Sequence, residues 1–307
     1  DSPSAKDPGA FNWTSTAWHE IAHAFHLAMS DHRVPRWFTE GLAVHEQKRA
    51  RIRWGQKVTP AWLGAYESGR LHPVSRLNQG FVRPDYPEQV IFSYYQASLV
   101  LELIEDRWGL DAILAMLEGY RQGKSNEGVF QEVLGQSPTA FDRVFDEYVE
   151  SRWGSRMPSV TTGRDGEAPT LFHGEGEGLE SARLRAEENP GSFLARLALG
   201  RALMQEGLYD EAEGELKAAL NLFPEYAGPE SPYRLLATLH RQRGELERAA
   251  MALQRLGDLE GGRRSTPKRL GRSVVTPTLP SATPGDLNLV LPYRYVVTIL
   301  EMLHAMD

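Results

Sequence analysis

Apolar residues in the first half of the chain recur at spacings of three and four, the period of helices that bury one stripe. The pattern predicts a helix over Thr14–Met29, a loop carrying Asp31 and Pro35, and a second helix over Pro35–Ile52. A short helix follows in "TPAWLGAYESG", with Pro60 in its first turn and Gly69 at its end. Residues 71–89, with Pro73, Pro84 and Pro87, read as loop. "EQVIFSYYQASLVLELIEDRWG" predicts a long helix closed by Gly109. "DAILAMLEGYRQG" predicts another, with Asp111 as its cap, and "NEGVFQEVLG" a third. A last helix of this half opens at Ser137 and Pro138.

Residues 1–153 form the first expected domain. From 154 to 178 the periodicity dissolves into Gly, Ser, Thr and Pro, which predicts a linker. Beyond it the chain repeats. Leu199-Gly200, Gly207, Tyr209, Ala212, Ala219 and Pro224 mark one unit, and Ala237, Gly244, Ala249 and Leu256 mark a second. Gly207 and Gly244 lie 37 residues apart. That is near the roughly 34 of a tetratricopeptide repeat with a short insertion, and residues 179–262 resemble such repeats. A second polar linker covers 263–285, and 286–307 carries an apolar stretch that stays unassigned. The chain opens at Asp1 without Met and stops inside that stretch, so both ends are expected to be cut from a longer protein. The fold class expected is therefore mainly α, with repeats built as α-hairpins.

Composition narrows the function. The 307 residues carry a net charge of −7 with both signs interspersed, unlike the basic face of a nucleic-acid binder. No apolar run approaches the roughly 20 residues of a membrane span. Cysteine is absent, so a metal would have to be held by His, Asp or Glu.

Such residues cluster in "AWHEIAHAFH", Ala17–His26. His19 and His23 are four apart, which on a helix is about 40° around the axis and one turn up, so both imidazoles can reach one ion. Glu20 sits beside them. This is the H-E-x-x-H arrangement, in which the histidines bind zinc and the glutamate acts as general base. A catalytic zinc needs a third protein ligand and an open position. Glu40 of "WFTEGLA", seventeen residues past His23, can supply the carboxylate if the second helix turns back. Zinc suits this ligand set, although affinity order alone also admits copper or nickel. The bland alternative is a pair of histidines on a core helix.

"HEIAH" followed by "WFTEGLA" resembles the gluzincin metallopeptidases, in particular the MA-like peptidase domains and more distantly the aminopeptidase-N-like enzymes. The resemblance extends to about residue 153. It implies a helical zincin-type domain with His19, His23 and Glu40 as zinc ligands and Glu20 as general base. It also implies a tyrosine that donates to the oxyanion; Tyr94, in a "Y-x-Q-A" pattern, fits, with Tyr95 as the alternative and plain packing as the bland reading of either.

His26 and Glu46 are candidates for supporting the ligands from behind. Relatives carry an acidic residue where this chain has Gln47, which leaves that assignment open. His45 reads as surface, and "KRARIR", Lys48–Arg53, as a solvated helix end that suits the helix dipole or could meet acidic substrate. The β-sheet that precedes the metal helix in zincins is expected to be missing here, since "DSPSAKDPGAFNW" has no strand pattern, and no "GxMEN" motif is present.

Two functions follow. One is a zinc peptidase of peptide or protein substrates whose repeats recruit a protein partner. The other is a repeat scaffold carrying a degenerate peptidase-like domain. Export signals are common in the families resembled, and this sequence displays none.

Overall fold

The first turn of the chain's course is set by two residues in the left-handed region, Asp31 and His32, with φ of 51° and 59°. Asp and His tolerate that region better than most residues, and two in succession reverse the backbone within a short loop. They join α1 (Trp13–Met29) to α2 (Arg36–Ala50), and the His32 amide closes the turn on the Leu27 carbonyl at 2.8 Å. In the computed structural model, which describes residues 12–161, 178–228 and 230–262, helices dominate and no strand occurs among the described residues.

Helix α3 (Pro60–Glu67) starts as the pattern predicts, with the Thr59 hydroxyl accepting from the Trp62 amide and Pro60 at the first position. The stretch 71–89 is more ordered than a bare loop. It holds a 3-10 turn at Val74–Arg76 and the single turn α4 (Gln79–Val82). Gly109, with φ of 80°, separates α5 (Gln89–Trp108) from α6 (Leu110–Arg121). Asp111 is thus not the cap of α6. It lies inside the first turn, where its charge suits the helix dipole, and Gly109 holds the capping position. Ser125 caps α7 (Asn126–Leu134), and Ser137 caps α8 (Pro138–Trp153) by accepting from the Ala140 amide.

The core of this half forms around α2 and α5. Trp37 and Phe38 are fully buried, with Phe38 edge-on to Tyr120 at 5.4 Å and Trp37 near Phe130 at 6.1 Å. Their polar neighbours are satisfied inside the core: Asn126 Oδ1 accepts from Tyr120 Oη at 2.7 Å and from Trp37 Nε1 at 3.3 Å. Burying such aromatic rings contributes roughly 2–3 kcal/mol each, which anchors the start of α2 and with it the register of Glu40.

The expected linker at 154–178 begins differently. Its first residues form α9 (Met157–Thr161), with Met157 and Val160 buried, because this short helix places apolar side chains against α3 and the next helices. Positions 162–177 lie outside the described residues, as do 263–285 and 286–307.

After α10 (Leu179–Glu188) come two helical hairpins, α11 (Phe193–Gln205) with α12 (Tyr209–Leu222) and α13 (Pro232–Gln242) with α14 (Leu246–Glu260). Gly207 and Gly244 occupy the same place in the two turns, with φ of 73° and 75°. A Cβ on Gly200 would stand 2.8 Å from Leu216 Cδ2, so the small residue is what lets α11 and α12 approach. All these elements from Thr14 onward belong to one compact unit, Thr14–Ser273. No helix among the described residues is long and apolar enough to cross a membrane.

Candidate metal centre

Helix α1 carries His19, Glu20, His23 and His26, and α2 runs back past them. His19 meets Gln47 near the end of α2, while His23 meets Thr39 and Glu40 near its start. The pairing is antiparallel and brings three side chains to one point. His19 Nε2 and His23 Nε2 are 3.0 Å apart, and Glu40 Oε2 is 3.2 Å from His23 Nε2 and 3.4 Å from His19 Nε2. Among the described residues this is the one set of His, Asp and Glu ligand atoms that converges in this way.

The far sides of the rings decide which nitrogens face inward. Gln47 Nε2 donates to the Ser15 carbonyl at 2.9 Å and to Ser15 Oγ at 2.7 Å. Its Oε1 is therefore the atom that faces His19, and it accepts from His19 Nδ1 at 3.1 Å. A proton on Nδ1 leaves the lone pair of a neutral ring on Nε2. Thr39 Oγ1 lies 2.8 Å from His23 Nδ1, where it accepts when that nitrogen carries the proton, and 3.5 Å from Nδ1 of buried His26. With both rings neutral and protonated on Nδ1, two imidazole lone pairs and one carboxylate oxygen point at a shared position. Like partial charges at such separations repel unless a cation lies between them.

The separations are those of a set that could hold a metal ion. Ligand atoms at about 2.0–2.1 Å from a tetrahedral zinc stand about 3.3 Å from one another, and the three separations here bracket that value. The second carboxylate oxygen is also engaged, since Arg36 Nε donates to Glu40 Oε1 at 3.3 Å. When the imidazoles are protonated instead, they donate to Glu40: burial pushes its carboxyl up, but hydrogen bonds from His19, His23 and Arg36 outweigh it and hold the group well below the usual carboxylate range. For His19 burial works downward, and the bonds to Glu40 and Gln47 raise it overall. His26, by contrast, is pulled down to about 4, first by burial and then by repulsion from His23. It stays a neutral packing partner behind the site.

Glu20 is exposed on the next position of α1, and its charge reaches His19. Tyr94 comes from α5: its ring lies 6.4 Å from that of His19 and edge-on to Phe81 at 5.1 Å. Burial, followed by the charge of Glu40, raises its phenol overall, against the opposing influence of Arg36. Tyr95 turns the other way, is buried, and packs edge-on against Trp62 at 5.1 Å.

Several side chains sit elsewhere than expected. Glu46 does not support a ligand histidine; it pairs with Arg49 at 2.7 Å, because the helical turn points it away from α1. Gln47, one position on, takes that place. His45 is not on the surface. It is buried, with Nε2 2.5 Å from Glu105 Oε2. The basic run is only partly solvated, for Lys48 reaches Glu102 at 2.5 Å while Arg51 covers Trp54 at 5.0 Å. Arg36, Thr39 and Ser15 escaped the sequence reading. A cation four residues before Glu40 was the available signal for the first, and nothing local marks the other two.

The opposite face of α1 is apolar. Trp18, Ile21, Phe25 and Met29 are exposed, while Ser15, Ala22 and His26 are the buried residues of the helix. The polar face is the one turned toward α2. Comparison with protein-family models, with curated proteins and with solved structures returns no match for this chain.

Proposed function

We propose that this protein is a zinc-dependent metallopeptidase of the gluzincin kind, its helical hairpins acting as tetratricopeptide-type repeats that recruit a polypeptide. The observation that carries the reading is the convergence of His19 Nε2, His23 Nε2 and Glu40 Oε2 within 3.0–3.4 Å of one another, with every outward-facing nitrogen already hydrogen-bonded. His19, His23 and Glu40 would hold the metal. When bound, zinc supplies Lewis acidity that makes water a nucleophile near neutral pH and polarises a carbonyl.

The protein's own residues do the rest. Glu20, one residue past His19 and about 100° around the helix, is exposed to solvent and is the base that takes a proton from the attacking water and returns it to the leaving amine. The Tyr94 hydroxyl is the donor for the oxyanion. Gln47 and Thr39 fix the imidazole tautomers, and Arg36 steers Glu40 so that one oxygen faces the histidines. The hairpins pack small residues at their crossings, as Gly200 does against Leu216. Stacked hairpins of this type offer a concave surface to extended peptides.

A repeat scaffold with a degenerate peptidase-like domain is the second reading. It is favoured by the lack of a strand among the described residues that could pair with an extended substrate. Two measurements divide the readings. Zinc content near one per chain, together with casein or peptide-library hydrolysis that disappears in Glu20→Gln at unchanged zinc content, supports the peptidase. Bound zinc without hydrolysis in either protein selects the scaffold, and hydrolysis that survives Glu20→Gln removes Glu20 as the base.

A further inference from the structure

A recess of about 450 Å³ opens between α3, α5, α8 and α9, away from the metal centre. Gln96, at its edge on α5, lies two residues past Tyr94 and so about 200° around the helix. The recess has an unusual charge. Glu67, Asp142, Asp146 and Glu150 line it, and no lysine or arginine does. Two of the carboxylates are held in place by the protein. Asp142 accepts from the Ser75 amide at 2.9 Å and from Ser75 Oγ at 2.7 Å, and Asp146 accepts from Tyr66 Oη at 2.5 Å.

The acidic rim alone would be a solvated surface. The second observation is Gln96. It is 2% exposed, it lines the recess, and its Nε2 donates to the His72 carbonyl at 2.8 Å. Its Oε1 is buried with no hydrogen-bond partner in the protein. A buried carbonyl without a donor is destabilising, and a donor entering the recess would relieve it.

The donor's chemistry follows from how the acceptors are spread. A hard metal ion needs six to eight oxygens at about 2.3–2.6 Å from one point, and these carboxylates do not converge, the only such gathering among the described residues being His19, His23 and Glu40. Phe145 and Met157 make part of the wall apolar. A group with several donors in one plane, carried on an aliphatic stem, satisfies separated acceptors and apolar walls together. That is a guanidinium; an ammonium offers a compact point charge instead.

We infer that this recess binds the arginine side chain of a polypeptide, with Gln96 Oε1 and the carboxylates Glu67, Asp142, Asp146 and Glu150 as its acceptors. The site is independent of the metal reading and stands whether or not the chain hydrolyses peptides.

Calorimetric and ligand-observed NMR titrations of the full chain test it with N-acetyl-arginine amide, its neutral isostere N-acetyl-citrulline amide, N-acetyl-lysine amide and free L-arginine. The arginine amide should bind at least tenfold tighter than the citrulline amide and more weakly as salt is raised. It should also bind tighter than the lysine amide, and tighter than free arginine, whose carboxylate the acidic rim repels. The double variant Glu67→Gln/Glu150→Gln, confined to exposed side chains, should weaken the arginine amide three- to tenfold. Gln96→Leu should weaken it further; should that variant misfold, the double variant still decides. Equal binding of arginine and citrulline amides, or unchanged affinity in the double variant, overturns the site. Equal binding of the lysine amide overturns the guanidinium preference, and equal binding of free arginine overturns the polypeptide.

Discussion

Gly41 stands directly against Ala97: a Cβ on Gly41 would lie 2.7 Å from both the Ala97 carbonyl carbon and its Cβ. This contact is where α2 and α5 cross, and it lies one residue from Glu40 and three from Tyr94. The two small residues let the backbones approach closely enough for a carboxylate from one helix and a phenol from the other to serve one site. Gly41→Ala forces the helices apart. Overpacking of this sort costs about 1–3 kcal/mol, and the shift carries Glu40 away from the histidines. Urea unfolding should show that loss, and chelator competition should show zinc bound more than tenfold weaker. A variant with native zinc affinity would mean that the crossing does not set the position of Glu40.

Gln47 and Glu46 are neighbours with opposite expected effects. Gln47→Ala frees the Nδ1 proton of His19 and should weaken zinc binding by about 10- to 100-fold, the usual consequence of losing a residue that orients a ligand. Glu46→Ala removes only a surface pair with Arg49 and should leave zinc affinity within twofold. Competition with a chromophoric chelator measures both. The reverse ranking would return the supporting role to Glu46.

Tyr94→Phe deletes the proposed oxyanion donor and leaves the ring packed on Phe81. Hydrolysis of a peptide substrate should fall about 100-fold in kcat, with KM nearly unchanged and zinc content intact. Tyr95→Phe is the control, since Tyr95 packs on Trp62 in the core. If Tyr94→Phe retains full turnover, the phenol is a packing group.

Glu102 links the acid stability of the first half to two cations. Lys48 Nζ lies 2.5 Å from one of its oxygens and Arg152 Nη1 2.9 Å from the other. Burial alone would raise its carboxyl, but the two cations lower it overall. A folded pKa below the unfolded value near 4.3 means that this stability is present above that value. It is lost as pH falls through the folded pKa. Glu102→Gln should therefore cost about 1–2 kcal/mol at pH 7, with partial screening because both cations are partly exposed. It should also lose less on acidification than the parent. Urea midpoints at pH 7 and pH 3 check this; parallel losses in the two proteins would exclude the carboxylate.

Much of the helical order could be read from periodicity and punctuation. Thr59-Pro60 and Ser137-Pro138 start helices because a hydroxyl accepts from an early amide and proline already has the helical φ. Gly207 and Gly244 end helices because glycine enters the left-handed region freely. The start of the 154–178 stretch misled, since five residues suffice for a helix only when a neighbour buries them, as α3 does for α9. His45 misled for the same reason. The polar run Glu46–Arg49 follows it in sequence, and the partner that meets its buried ring, Glu105, comes from another helix.

On α1 the apolar residues Trp18, Ile21, Phe25 and Met29 mark a stripe, yet the side turned toward α2 is the polar one. Periodicity identifies a two-faced helix without saying which face another element will cover. The sequence alone determined the helical class, the repeating hairpins and the spacing that lets His19 and His23 share a partner, because these depend on neighbours three or four residues away. The tertiary structure decided that Glu40 closes that pair, that Gln47 rather than Glu46 orients His19, and that Tyr94 rather than Tyr95 faces the centre. Each of those outcomes depends on how closely α2 approaches α5 at Gly41 and Ala97, a distance set by packing between residues far apart in the chain.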